Sequence, residues 1–287
     1  MPRSPSLHPG GSGSNVLIRM VASDLDGTLI DHGGRVSPAV RRAFADARRF
    51  GLKVVLATGR SYPQALPYWR LFGLDTPLVA AQGADVRHPG TGEILWQHLI
   101  PEATVARAAG VLRSAGLLVG RYSDDRFWHE GLTDPLMQAY LARVKAPARI
   151  VGRIEDLGGD ASKVVALGAP ELVSQVLPQV QALLQDCSEV LRSLPFHVDV
   201  VPPGITKASA LERLAPLLGV SGWHEVMAFG DADNDLTMIS RAAVGVAVGD
   251  ATPAVMAAAR HRVRPVGLGP AAEIDRLLRA EGRWTLA

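Results

Sequence analysis

Two aspartates stand two residues apart, directly after an apolar run near the beginning of the chain. The run at 17–22 has the composition of a short buried strand, and Asp24 and Asp26 follow it before a Gly27-Thr28 turn. Carboxylates at the carboxyl end of a parallel strand lie where open α/β sheets bind ligands, a position that suits a metal-assisted nucleophile. An Asp-Gly pair is also an ordinary turn after a strand, so this motif alone leaves both interpretations open.

Three further segments carry polar groups after a predicted buried strand or at a predicted helix start. They are Thr58-Gly59-Arg60, Lys207, and the stretch from Gly230 to Asp235, which includes Asp231 and Asn234. Because the carboxyl ends of parallel strands share one edge of a sheet, three of the four segments can converge there. Lys207 would have to reach the same edge from the start of its helix. The spacing therefore predicts one polar site built from distant parts of the chain.

The residue types in these segments suit phosphoryl transfer. Several carboxylates without a histidine or thiol partner favour a hard cation, most simply Mg²⁺. Asp24 could attack phosphorus and form an aspartyl-phosphate, with Thr58 donating to a phosphoryl oxygen and Lys207 neutralising its charge. Asp26 could protonate the leaving alkoxide and later take a proton from water. For that role the pKa of Asp26, about 3.9 for a free side chain, would need to be raised by burial and neighbouring carboxylates.

Each of these segments also has an interpretation without chemistry. Thr58 alone is typical of a residue that caps the next helix, and Lys207 alone of a solvated helix residue. The stretch 231–235 could be an exposed acidic turn or an incidental Ca²⁺ loop, although it lacks the frame of an EF-hand. The occurrence of all four segments in order, each at a strand end or helix start, favours the catalytic interpretation.

The order of the predicted elements indicates an α/β fold with an insertion. Buried strands alternate with helices at intervals of roughly 25–30 residues, which predicts a doubly wound parallel sheet. Two predicted hairpins, at 85–99 and 117–129, then change the pattern to α+β. The predicted organisation is a flexible tail at 1–15, a core formed by 16–84 and 196–287, and an inserted domain at 85–195.

Composition and charge exclude several other classes of protein. The chain has 287 residues, of which 47% are hydrophobic and 20% charged, enough for a sizeable core. With a net charge of +2 and no basic cluster interleaved with aromatic residues, we expect no nucleic-acid partner. No apolar run reaches the ~18 residues of a membrane span, and the tail lacks a secretory signal. The single cysteine, Cys187, fits a reducing compartment, so we expect a cytoplasmic protein. P-loop, serine-hydrolase and zincin motifs are absent.

The four segments resemble the four motifs of the haloacid dehalogenase-like (HAD) superfamily. The resemblance covers about residues 16–280 and rests on Asp24-Leu25-Asp26-Gly27-Thr28-Leu29, Thr58-Gly59-Arg60, Lys207 and Gly230-Asp231-x-x-Asn234-Asp235. The long insertion between the second and third motifs is similar to the α/β cap of the Cof-type hydrolases. The resemblance implies a Rossmann-like doubly wound parallel sheet core, with an inserted α+β cap domain that closes over the site and reads the leaving group.

The resemblance also implies roles for individual residues. Asp24 would be the nucleophile and Asp26 the acid/base, with Thr58 and Lys207 completing the catalytic set. The implied ligands of Mg²⁺ are Asp24, Asp26 through its main-chain carbonyl, Asp231 and Asp235. The implied substrate-binding residues are Gly27, Thr28, Gly59, Arg60, Gln82 and Asn234. The implied substrate is a small phosphorylated metabolite, such as a sugar phosphate or a phosphorylated cofactor, and we expect a monomer or homodimer.

Two features depart from the Cof-type pattern. Gln82 stands where an asparagine is usual, which bears on substrate choice, and the stretch 262–270 lacks an acidic loop. In the insertion, a polar cluster near the second hairpin could pack on that hairpin or contact the substrate: Arg121, Tyr122, Arg126, Trp128 and His129. Two alternatives remain open at this point: a phosphotransferase or phosphosugar mutase on the same fold, and a non-catalytic metabolite-binding module.

Overall fold

The computed structural model describes residues 17–31, 33–131, 134–144 and 147–282, so the predicted tail at 1–15 lies outside the described residues. The strands are β1 (Met20–Ser23), β2 (Lys53–Leu56), β3 (Leu78–Ala80), β4 (Asp85–His88), β5 (Glu93–Gln97), β6 (Leu118–Ser123), β7 (Arg126–His129), β8 (Ala148–Ile150), β9 (Lys163–Leu167), β10 (Glu189–Leu194), β11 (His197–Val201), β12 (Val226–Gly230), β13 (Val244–Val248) and β14 (His261–Val263). The helices are α1 (Pro38–Arg49), α2 (Tyr62–Leu71), α3 (Glu102–Ser114), α4 (Pro135–Val144), α5 (Pro170–Leu184), α6 (Lys207–Leu217), α7 (Leu236–Arg241), α8 (Pro253–Ala258) and α9 (Leu268–Ala280).

A five-stranded parallel sheet forms the centre of the fold, in the order β14-β13-β12-β1-β2. β1, β2, β12 and β13 are short, mostly apolar runs, as expected for strands covered on both faces, whereas the edge strand β14 is only partly buried. β1 lies between β2 and β12, although β12 is about 200 residues away along the chain. This arrangement, with antiparallel sheets beside it, confirms the predicted α/β class.

Side chains of β1 alternate between two layers of helices, which is the physical basis of the doubly wound arrangement. Val21 packs in a cluster with Phe44 of α1 and Ile274 of α9. Ala22, on the other face of the strand, packs in a second cluster with Leu211 of α6. Full burial of a side chain such as Phe44 stabilises the folded state by about 1.5–3 kcal/mol. The sheet edge is therefore held rigidly where the polar residues follow it.

The apolar run at 77–81 predicts a third strand of the parallel sheet, and the structure differs from that expectation. β3 touches the parallel sheet through one bridge, between Ala57 and Val79, and pairs antiparallel with β4 of the hairpin β4–β5. Val86 of that hairpin packs in the same cluster as α6. The predicted domain boundaries stay a proposal, and these contacts favour placing the hairpin with the core.

A six-stranded sheet with helices on its faces makes up most of the insertion, in the order β10-β11-β9-β6-β7-β8. We call β6 to β11 together with α3, α4 and α5 the insert. Val105 of α3 and Val173 of α5 pack on one face of its sheet. Met137 of α4 packs near Phe127 on the other face. In the described part of the chain, no helix combines the length and apolar character that crossing a membrane requires.

Candidate active site

Polar side chains from three neighbouring strands meet at the carboxyl edge of the parallel sheet, as the spacing predicted. Asp24 is the first residue after β1 and Asp231 the first after β12, while Thr58 follows β2 by two residues. The backbone N–H of Asp24 donates to Phe229 O at 3.0 Å, and that of Thr58 to Val79 O at 2.9 Å. Strand-like hydrogen bonds therefore hold the loops after β1 and β2 at their first residues, which fixes where Asp24 and Thr58 point.

Lys207 reaches this edge and contacts two of its carboxylates. Its side chain is 1% exposed, and Nζ donates to Asp24 Oδ1 at 2.5 Å and to Asp235 Oδ1 at 2.8 Å. Thr206 caps α6 by accepting from the N–H of Ser209 at 3.0 Å, which places Lys207 in the first turn. Partnered carboxylates raise the pKa of Lys207, although burial opposes the shift. The interpretation of Lys207 as a solvated helix residue is therefore wrong.

Asp235 holds the loop after β12 in place. Its second oxygen, Oδ2, accepts from the backbone N–H groups of Asp231 at 3.0 Å and Ala232 at 3.1 Å, and the side chain is fully buried. A Cβ on Gly230 would come within 2.5 Å of Asp235, so the strand end must be glycine for this carboxylate to fit. The hydrogen bonds to Asp235 therefore fix the conformation of the stretch 231–235, which is not a freely exposed acidic turn.

Asp231 is held from the opposite side by the first motif. Thr28 Oγ1 donates to Asp231 Oδ1 at 2.6 Å. Gly27 has φ +79°, and a Cβ there would approach Asp231 Oδ2 to 2.4 Å, so a larger residue would suffer both strain and a clash. Gly27 and Thr28 therefore shape the acidic site here.

Three carboxylates form a cluster that could hold a divalent cation. One oxygen from each of Asp24, Asp231 and Asp235 lies within 4.8 Å of the others. Burial raises the pKa of Asp24 well above its usual range, and Lys207 opposes that shift. Burial and the neighbouring Asp235 raise the pKa of Asp231 to about 7. Crowded carboxylates of this kind gain from a cation, and an all-oxygen donor set fits a hard ion such as Mg²⁺.

Asp26 is paired with Arg60. Arg60 Nε donates to Asp26 Oδ2 and its Nη2 to Oδ1, both at 2.7 Å, in a bidentate pair. The Asp26 side chain is 26% exposed, so its surroundings differ from the buried, carboxylate-lined environment that the sequence analysis required. Tyr68 lies under the guanidinium, 5.0 Å from its centre. Arg60 thus contacts the predicted acid/base residue directly.

Thr58 and Gly59 form the third part of the edge. Thr58 Oγ1 accepts from the N–H of Arg60 at 3.2 Å, whereas α2 begins later, after Ser61. Thr58 is therefore not the cap of that helix, and it lines the same cavity as Asp24. The main-chain carbonyl of Gly59 accepts from Lys163 Nζ of the insert at 2.8 Å.

Gln82 connects the core to the insert. It has φ +60°, and its Nε2 donates to Ser193 Oγ at 3.1 Å and Asp199 Oδ2 at 3.2 Å. Asn234 Nδ2 donates to Gln82 Oε1 at 3.0 Å. The predicted substrate-binding pair Gln82 and Asn234 is therefore in direct contact, and the length of the Gln82 side chain allows it to reach the insert.

The insert contributes residues that the sequence analysis missed. Lys163 and Asp199 form a buried ion pair, Nζ to Oδ1, at 2.9 Å. The β-register places Asp199 opposite Val165, so Lys163, His197 and Asp199 share the sheet face turned toward the core. The available signal was polar residues alternating with valines in His197-Val-Asp199, within an otherwise apolar strand. By contrast, Arg121 and His129 bond to main-chain carbonyls of the insert and do not line the cavity.

The two sets of residues enclose a cavity of about 100 Å³. One wall is the polar sheet edge, with Asp24, Asp26, Thr58, Arg60, Gln82, Asp231 and Asn234. The other wall belongs to the insert, with Tyr140, Lys163, Ser193, Leu194, His197 and Asp199. Four of the predicted site residues do not line the cavity and lie behind the sheet edge instead: Gly27, Thr28, Lys207 and Asp235.

Known proteins resemble this chain over most of its length. The sequence model of haloacid dehalogenase-like hydrolases matches residues 21–266. YitU of Bacillus subtilis, a 5-amino-6-(5-phospho-D-ribitylamino)uracil phosphatase, is 29% identical, the match covering 82% of this chain and 88% of that protein. YbhA of Escherichia coli, a pyridoxal phosphate phosphatase, is 28% identical, with coverages of 84% and 91%.

The fold is likewise shared with a solved structure. A haloacid dehalogenase-like hydrolase from Bacteroides thetaiotaomicron superposes with a TM-score of 0.81 at 26% identity, covering 91% of this chain and 99% of that one. The sequence match, the named phosphatases and the common fold agree with the resemblance seen in the four motifs. The chain belongs to the haloacid dehalogenase-like hydrolase family.

Proposed function

We propose that the protein is a Mg²⁺-dependent phosphatase that hydrolyses a small phosphomonoester through an aspartyl-phosphate on Asp24. The observation that carries this proposal is the contact of Asp24 with Lys207 beside Asp231, at the end of a rigid strand. A carboxylate held by a buried ammonium and open to a cavity is placed for attack on a bound phosphoryl group. The phosphatases among its relatives support the same reaction class.

In the first step, an Asp24 oxygen forms a bond to phosphorus as the bond to the ester oxygen breaks. Asp26 gives a proton to the departing alkoxide, so a neutral alcohol leaves. Lys207 and Thr58 stabilise the charge that collects on the phosphoryl oxygens. In the second step, Asp26 takes a proton from water, whose oxygen attacks phosphorus and frees Asp24 and inorganic phosphate.

The bidentate pair of Arg60 with Asp26 must open before Asp26 can act as an acid. A bidentate guanidinium stabilises the charged carboxylate, whereas proton donation requires the neutral one. Arrival of the ester oxygen next to Asp26 would replace part of this pair. Arg60 then becomes available to the phosphoryl group, which agrees with its predicted substrate-binding role.

The residues present fit a magnesium site. Asp24, Asp231 and the main-chain carbonyl of Asp26 would hold the ion, which supplies positive charge for the phosphoryl oxygens when bound. Both oxygens of Asp235 already accept hydrogen bonds, from Lys207 and from two backbone N–H groups. This favours a role for Asp235 in positioning Lys207 and the loop rather than as a direct ligand.

Metal removal tests the cofactor. We expect EDTA to abolish turnover of p-nitrophenyl phosphate and added Mg²⁺ to restore it, because the cluster carries several carboxylates and one paired ammonium. The measurement is the steady-state release of p-nitrophenol before and after metal is restored. Turnover that persists after exhaustive chelation would refute the metal assignment.

The pH dependence of metal binding follows from Asp231. Its pKa near 7 means that the carboxyl holds a proton below that pH and must lose it to bind a cation. The proton on Asp231 alone should make the affinity for Mg²⁺ roughly tenfold weaker at pH 6 than at pH 8, and the raised pKa of Asp24 acts in the same direction. Titration of Mg²⁺ by calorimetry at both pH values checks this, and equal affinities would contradict it.

Product analysis separates the phosphatase from the alternatives. A phosphatase releases inorganic phosphate from a single phosphosugar, whereas a mutase or phosphotransferase returns an isomeric phosphosugar. A non-catalytic binding module shows neither product and no turnover of p-nitrophenyl phosphate. A panel of phosphorylated metabolites, compared by kcat/KM, would then identify the substrate.

A further inference from the structure

The insert forms one wall of the cavity, and this wall combines a buried ion pair with side chains that can form hydrogen bonds. The Lys163 and Asp199 side chains are 3% and 1% exposed. Both face the space where the leaving group of a phosphomonoester would lie. A role for this wall in recognising the leaving group rests on the proposed phosphatase function.

The cationic side chains that line the described cavity are both already paired. Lys163 Nζ donates to Asp199 Oδ1 at 2.9 Å and to Gly59 O at 2.8 Å. Arg60 is engaged by Asp26 on the opposite wall. A second anionic group on the substrate would therefore find no uncommitted lysine or arginine among the described residues of the wall formed by the insert.

Asp199 adds a buried negative charge to the same wall. Its oxygens accept from Lys163, from Ser193 Oγ and from Gln82 Nε2, so the charge is stabilised by three donors. The Lys163–Asp199 pair is neutral as a whole, so a carboxylate or phosphate beside it would lose its hydration without gaining a cationic partner. Removal of the Asp199 charge would leave Lys163 with Gly59 O as an acceptor but without an anionic partner.

One buried polar atom of the cavity lacks a hydrogen-bond partner, and a second has only an ion-pair contact. His197 Nε2 lies 3.1 Å from Asp199 Oδ1, within ion-pair distance but without the alignment of a hydrogen bond, and the His197 residue is 6% exposed. Asn234 Oδ1, on the opposite wall, accepts from no donor among the described residues. Buried polar atoms without partners are costly, so a ligand that supplies both partners gains affinity. A hydroxyl group can serve either atom, because it donates and accepts.

We propose that the cavity selects phosphomonoesters whose leaving alcohol carries uncharged hydrogen-bonding groups and no second anionic group, because Asp199 occupies the cation Lys163 that a second anion would need. His197 and Asn234 bind the hydroxyl groups of the alcohol. Lys163 holds the charge of Asp199 in place and, through Gly59, holds the insert against the core.

Matched substrate pairs test the proposal. Glycerol 3-phosphate and 3-phosphoglycerate differ by a hydroxymethyl group and a carboxylate, as do sorbitol 6-phosphate and 6-phosphogluconate. In each pair, we call the compound without the carboxylate the neutral member. We expect it to show at least a tenfold higher kcat/KM, and at least a tenfold tighter inhibition of p-nitrophenyl phosphate hydrolysis. Equal or stronger inhibition by the anionic members overturns the inference, whereas absence of p-nitrophenyl phosphate turnover overturns the proposed function instead.

The Asp199→Asn variant assigns the discrimination to one residue. With the carboxylate gone, Lys163 can pair with a substrate carboxylate, so the preference for the neutral member should fall at least tenfold. Asp186→Asn is the matched control, because Asp186 lies in the insert and pairs with Arg107 on the exposed surface. If folded Asp199→Asn keeps the wild-type preference for the neutral member of each pair, the assignment of the discrimination to Asp199 is wrong. If the variant does not fold, the wild-type pairs decide the substrate class by themselves.

Discussion

Asp24→Asn is expected to lower kcat/KM for p-nitrophenyl phosphate by at least about 1,000-fold, because an amide neither attacks phosphorus nor carries the negative charge of a metal ligand. The fold should survive. Burial penalises the charged form of Asp24 and raises its pKa, so a neutral amide of the same shape removes that desolvation cost. Lys207 keeps its second partner, Asp235. Urea denaturation in EDTA should therefore place the variant within about 1 kcal/mol of the wild type.

Asp233→Asn is the matched control for that experiment. Asp233 lies in the same acidic loop, but its side chain is exposed and accepts from Thr252 Oγ1 at 2.7 Å, away from the cluster. We expect it to retain kcat/KM within a few-fold. Full activity in Asp24→Asn, or equal losses in both variants, would sink the nucleophile assignment. Trapping of a phosphorylated wild-type chain, absent from Asp24→Asn, would provide independent support.

Lys207→Met should affect both turnover and stability. Methionine keeps the length and apolar volume of the side chain, so the change isolates the loss of the ammonium from Asp24 and Asp235. Loss of one charge-stabilising group typically lowers kcat about 100- to 1,000-fold. Removal of one partner from a buried ion pair costs about 3 kcal/mol of unfolding free energy.

Metal binding distinguishes the two effects in Lys207→Met. Because Mg²⁺ also neutralises the carboxylate cluster, the loss of stability should be smaller in Mg²⁺ than in EDTA, whereas the loss of turnover should persist. Lys53→Met is the control, since Lys53 is exposed at the start of β2. Wild-type stability of Lys207→Met in EDTA would show that the pair contributes nothing to the fold.

Local pattern was sufficient to predict most of the core. The pair Ser37-Pro38 is typical of a helix start, and α1 begins there, with Ser37 accepting from the N–H of Ala39 at 3.2 Å. The mostly apolar runs at 53–57 and 225–229 are typical of buried strands, and β2 and β12 form there. Cap chemistry and the buried-strand pattern are local properties, so they can be read from neighbouring residues.

The elements that were not predicted owe their structure to distant partners. β8 and β14 have three residues each, too few to show a period, and become strands through pairing with β7 and β13. β10 pairs with β11, which in turn pairs with β9. Hydrogen bonding across the sheet determines such strands more than their own composition does.

For the candidate site, residue types and order in the sequence were enough to predict which residues meet at the sheet edge and what chemistry they suit. The predicted convergence of Asp24, Thr58 and Asp231 follows from parallel strands sharing one edge. Only the tertiary structure decided the rest: the pairing of Arg60 with Asp26, the burial of Lys207, and the wall formed by Lys163 and Asp199. These contacts depend on how the insert packs against the core and on strand register, and contacts between residues so far apart leave no periodic pattern in the sequence.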